Sequence, residues 1–194
     1  MKYTISVIVE DKSGALTRVT GLFARRGYNI ESLAVGKTDV KGISRITLTV
    51  DGDKHVIEQL TKQLYKLIDV IKVINITECE HVNRELVLIK VCFSPTTRTE
   101  ILQVVEIFRA KIIDLSKDSV IVEATGDVEK SKALENALKP YGILEIARTG
   151  KIALILIAQG LPGRGAVGPR QGPSQNLVCL ICHLNYPECL LLLK

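Results

Sequence analysis

One stretch of this 194-residue chain carries groups suited both to a carboxylate and to an ammonium. It reads DKSGALTRVTGLFARRGYNIES, Asp11 to Ser32. Leu16, Val19, Leu22 and Phe23 recur at helical spacing, so Leu16 to Arg26 reads as an amphipathic helix. The first amides of a helix lack internal partners and carry positive partial charge, so an anion can sit there. Gly14 stands at that start, and without a side chain it lets a carboxylate come close to the backbone. Ala15 and Leu16 follow it in the first turn. Ser13 or Asp11 can cap the helix when no ligand is bound. Gly27 suits a left-handed residue just past the helix end, turning Asn29 and Ile30 into the next strand. The Asn29 amide can accept from an ammonium and donate to a carboxylate. The same residues also describe a well-capped helix with no ligand at all.

Other constellations point to less. KSGALT lacks both the G-x-x-x-x-G-K-[ST] and the G-x-G-x-x-G phosphate-binding patterns. His55, His81 and His183 are scattered, none beside a nucleophile and carboxylate at a recognisable spacing, so no catalytic residue is expected. His55 and His81 read as surface residues, and Cys79 and Cys92, in strand-like runs, as packing residues. CLICH, Cys179 to His183, fits a haem-attachment spacing, and Cys179, Cys182, His183 and Cys189 could hold zinc. We read this as an incidental match in an atypical tail and expect no metal site.

The elements that must position these groups come in a repeated order. YTISVIV alternates, with Tyr3, Ile5, Val7 and Val9 on one face and Thr4 and Ser6 on the other, which predicts a half-buried strand. After the helix come a strand near Ile30 to Val35, a turn through TDVKG and a strand GISRITLTV. A helix bearing Val56, Leu60, Leu64 and Leu67 follows, then a strand DVIKVINIT. The order β-α-β-β-α-β is the ferredoxin-like pattern. It repeats in the strand ELVLIKVCF, a helix with Ile101, Val104, Val105 and Phe108, and the strands AKIIDLS and DSVIVEAT. A helix with Leu134, Ala137 and Leu138 and a strand YGILEIART complete it. Asp53 and Asp127 stand where each second helix starts and can cap it. The fold class is therefore α+β, two ferredoxin-like units over 1–78 and 79–158, with an atypical, Gly/Pro-rich tail over 159–194 that reads as disordered. The first helix of the second unit has neither flanking glycine, which suggests that the pair in the first unit serves a function.

Composition narrows the class. Hydrophobic residues make 46% and charged residues 24%, ordinary for a globular chain, and the net charge of +5 is too mild to demand nucleic acid or membrane. No apolar run is long enough for a transmembrane helix, and MKYTISVIVEDKSG resembles neither a signal nor a transit peptide. The expected setting is the reducing compartment of synthesis, the cytoplasm or a plastid stroma, with the five cysteines as free thiols. RNA-recognition modules share the strand order but stack bases on strand aromatics, and ISRITLTV and ISVIVE have none.

ISVIVEDKSGALTRVTGLFARRGYNIESLAVG resembles, nearly end to end, the N-terminal ACT domain of the small regulatory subunits of acetolactate synthase (acetohydroxyacid synthase). ISRIT, EQLTKQLYKLIDVIKV, HVNRELVLIKV, EIFRAKIIDLS and EIARTGKIAL are similar to the same family in the same order, covering about residues 1 to 154. The resemblance implies a subunit with no chemistry of its own. It implies a large catalytic partner that carries thiamine diphosphate, FAD and magnesium, which this subunit activates and makes sensitive to valine. It also implies a homodimer of ACT domains joined edge to edge, with valine at the interface. Asp11, Gly14, Ala15 and Leu16 would come from one chain and Asn29 and Ile30 from the other, Leu16 and Ile30 shaping a branched-aliphatic pocket. The family continues past KIAL with a short polar helix, and here the chain departs with ILIAQGLPGRG.

Overall fold

A computed structural model describes residues 1–156 of the chain. The first unit runs β1 (Lys2–Glu10), α1 (Ala15–Arg25), β2 (Ile30–Lys37), β3 (Ile43–Asp51), α2 (Lys54–Leu64) and β4 (Val70–Asn75). A 3₁₀ turn at Ile76–Glu78 leads to the second: β5 (His81–Cys92), α3 (Arg98–Ile107), β6 (Lys111–Leu115), β7 (Ser119–Gly126), α4 (Val128–Leu138), β8 (Ile143–Arg148) and β9 (Ile152–Ile155). Both sheets are antiparallel, ordered β2-β3-β1-β4 and β6-β7-β5-β8. These are two ferredoxin-like units.

The alternating apolar residues build one core per unit. Tyr3, Ile5, Val7 and Val9 meet Val19, Leu22 and Phe23 of α1 and Ile57, Leu60 and Leu64 of α2. Val87, Ile89 and Val91 meet Ile101 and Val105 of α3 and Leu134 and Leu138 of α4. Asp53 and Asp127 cap α2 and α4, each accepting at 2.8 Å from the amide three residues on.

Two features depart from the sequence reading. β1 is buried on both faces, not one: Thr4 and Ser6 are as enclosed as the aliphatic residues between them. The cover is β9, an element not anticipated. Strand β5 starts early, and its first residues, His81 to Arg84, pair with β9 in a two-stranded ribbon. Ala153 of β9 is buried, and the backbone amide of Lys151, just before it, donates to the Ser32 hydroxyl at 2.9 Å while its ammonium donates to the Thr4 hydroxyl at 3.1 Å. Thr49 lies between Ser32 and Thr4 in the sheet register, so Lys151 spans it. Cys79 and Cys92 are exposed free thiols rather than packing residues: Cys79 lies just past the 3₁₀ turn, and Cys92 faces outward between the buried Val91 and Phe93.

Candidate functional site

The loop after β1 is fixed by its own backbone. Asp11 donates to the Gly42 carbonyl at 2.8 Å and Ala15 to the Lys12 carbonyl at 3.1 Å. Between them Gly14 takes φ +81°, a left-handed conformation at the N-cap of α1. Most N-caps are extended and offer a side-chain oxygen; this one offers none. Ser13 and Asp11 do not cap the helix, contrary to expectation. Asp11 lies 3.7 Å from the Lys37 ammonium at the far end of β2, and Ser13 contributes its carbonyl to Arg18 at 3.4 Å. The amides of Leu16 and Thr17 therefore face no acceptor among the described residues. A helix start of this kind is able to hold an anion.

Arg18 and Asp69 complete this end, and the sequence reading singled out neither. The Arg18 side chain leans back over the loop, as helical side chains do. Its Nε donates to Asp69, buried at the entry to β4. A cation beside a helix start is unfavourable, and Asp69 offsets it. Arg18 donating into it, more than any other influence, holds the Asp69 carboxyl below the usual carboxylate range. An added Cβ on Gly14 would stand 2.9 Å from an Arg18 terminal nitrogen. The partners lie 51 residues apart, too far for any spacing rule to find.

The other end of α1 closes tightly. Gly27, at φ +70°, donates to the Ala24 carbonyl and Tyr28 to the Phe23 carbonyl, the pair of bonds that ends many helices on a left-handed residue. Asn29 is then exposed, and Ile30 starts β2 opposite Val50, half-buried against the core. The second unit corrects the reading that both glycines mark a site. α3 ends with the same two bonds, Arg109 to Glu106 and Ala110 to Val105, and Arg109 holds φ +49° without being glycine. The left-handed turn belongs to the fold; α3 also starts without a side-chain cap, at Thr97, so what belongs to the first unit alone is a left-handed glycine at the helix start.

Within one chain the structure gathers Asp11, Gly14, Ala15 and Leu16 at one end of α1 and Asn29 and Ile30 at the other. Eleven helical residues, about 16 Å, separate them. Ala15 is buried, while Leu16 is 39% exposed and available to a ligand. β2 is an edge strand running from the Asn29 end to the Asp11 end, with Val35 exposed along it. The sheet face on which an RNA-recognition module would stack bases is covered by Lys151 and β9. Among the described residues no cluster could hold a metal ion, and no helix is long and apolar enough to cross a membrane. The CLICH candidates lie outside the described residues.

Tandem βαββαβ units, the first with an open helix start beside a free sheet edge, define a protein of the ACT class. A profile described as an AHAS small subunit-like ACT domain matches residues 5–72, and one described as the small subunit of acetolactate synthase matches 84–156. The acetolactate synthase small subunit of Bacillus subtilis is 55% identical over 155 residues, covering 79% of this chain and 90% of that one. The chain belongs to the family of acetolactate synthase small subunits, and so is a non-catalytic, regulatory subunit of a transferase. The Mycolicibacterium smegmatis small subunit is 51% identical over 84% of this chain and 95% of its own. The crystal structure of the small subunit from Thermotoga maritima superposes with a TM-score of 0.75 at 44% identity, covering 81% of this chain and 98% of that one.

Proposed function

We propose that this subunit senses valine and, in response, sets the activity of a large catalytic subunit of acetolactate synthase. The chemistry at the condensing centre, with thiamine diphosphate, magnesium and FAD, belongs to that partner; this chain contributes activation and feedback inhibition. The observation that carries the reading is the uncapped, glycine-started α1, whose free amides suit a ligand carboxylate.

The ligand's ammonium needs the other end of the helix, and a second copy supplies it. Two β2 edges paired antiparallel about a two-fold axis set the start of one strand opposite the end of the other. Lys37 at that end lies beside Asp11, so Asn29 of one protomer would approach Gly14 of its partner. Leu16 and Ile30 would then enclose an aliphatic side chain. Allostery of this kind requires two states that valine binds unequally, here two geometries of the paired edge.

Calorimetry of the full chain with valine, leucine and isoleucine tests the reading. A branched-chain amino acid, valine first, should give saturable heat and lower the acetolactate output of the complex. No heat from any of the three would overturn the sensor, and heat without any effect on a large subunit would leave a free-standing amino-acid-binding protein.

A further inference from the structure

The β5–β9 ribbon shows two unlike faces. Ala153 on one is buried. On the other, Val82 stands opposite Leu154 and Arg84 opposite Ile152, and Ile152 and Leu154 are 58% and 56% exposed. A two-stranded pair is marginal by itself, and this one leaves aliphatic side chains uncovered where the ladder partners of the second sheet have ended. Beside them Arg45 and Thr47 of β3 help form a groove of about 340 Å³. Arg45 and Arg84 both line it, and neither has a carboxylate partner among the described residues. Among the described residues, Arg84 donates only to the carbonyl of its neighbour Asn83, at 2.7 Å.

We propose that this groove and ribbon face are where the catalytic subunit docks, through a segment that carries aliphatic side chains and at least one carboxylate. The proposal rests on the regulatory reading above and adds the surface to it. Charge complementarity selects the occupant: two unpaired guanidinium groups beside an apolar strip call for an acidic, aliphatic segment rather than a basic or wholly apolar one. The free edges of the ribbon can add such a segment as a further strand. The surface is also wired to the effector edge. The turn between β8 and β9 bears on β2 at Ser32 and Leu33, so whatever displaces β2 displaces the base of the ribbon.

The test uses the full chain and a purified large subunit. The double variant Arg45→Glu/Arg84→Glu and the single variant Ile152→Lys change exposed or half-exposed side chains. Each should weaken capture of the large subunit about tenfold or more and raise the concentration needed for activation in step. Melting temperature, valine heat and the mass of the small subunit alone should stay unchanged. Wild-type capture by both variants would overturn the proposal, as would a changed mass of the small subunit alone, which would put a second copy on the ribbon. Valine heat is read separately: its absence in the wild type, with capture intact, would sink the sensor reading and leave the docking surface standing.

Discussion

Arg18 donates through Nε to the buried carboxylate of Asp69, and this pair stands directly beside Gly14 at the open start of α1. The sign of its pH dependence follows from the depressed carboxyl of Asp69, whose largest cause is the hydrogen bond from Arg18. A depressed carboxyl adds stability above the unfolded aspartate value, about 3.9, and loses it as the pH falls through the lower folded value. Asp69→Asn should therefore melt below wild type at neutral pH, and the gap should close in acid, below about pH 4. Thermal melts of both proteins across pH check this. A gap that stays constant into strong acid would show that the ion pair is not its source.

Gly27 and Arg109 hold the same left-handed position, one with the residue suited to it and one without. Gly27→Ala should cost about 1 kcal/mol, whereas Arg109→Gly should stabilise by about 0.5–1 kcal/mol by relieving strain. Denaturant melts read both, and equal signs would contradict the shared geometry.

Gly14→Asp would set a carboxylate where the ligand's carboxylate is proposed to sit. Aspartate tolerates a left-handed backbone better than most residues, and the nearest obstacle is the mobile tip of Arg18. The variant should fold with a loss of about 1 kcal/mol and show no valine heat. Asn29→Ala should also lose most of that heat. Mixing and reassociating equal amounts of the two variants should restore about a quarter of the sites, since about half of the dimers are mixed and one of the two sites in a mixed dimer keeps both native partners. A mixture as silent as its parents would rule out a site shared between chains.

Gly150 and Gly42 share a φ near +80° but differ in what surrounds them. An added Cβ on Gly150 would meet the Leu33 carbonyl oxygen at 2.9 Å, while one on Gly42 meets nothing. Gly42→Ala should cost the backbone strain alone, about 1 kcal/mol, and Gly150→Ala clearly more. Matching losses would mean that the turn does not bear on β2 as described.

The tandem fold was legible because aliphatic periodicity is local: Ile5, Val7 and Val9 or Leu60 and Leu64 announce their element without knowing its neighbours. The ends of α1 were visible for the same reason, since glycine there stands out. What escaped was long-range. The Arg18–Asp69 pair joins two elements, and the left-handed Arg109 carries no glycine to announce it. The cover over Thr4 and Ser6 was missed because alternation with hydroxyl residues looks identical whether the polar face meets water or another strand.

That hydroxyl-lined face has a thermodynamic consequence. Ser6 Oγ and Thr49 Oγ1 are enclosed without a hydrogen-bond partner among the described residues. Each such group forfeits about 1–3 kcal/mol of hydration while the second unit lies over it. Lifting the ribbon returns both to water, so the seam between the halves opens at less cost than an aliphatic seal of the same area. The halves are latched rather than welded. A message from the amino-acid edge can then travel as a change in how often the latch is open.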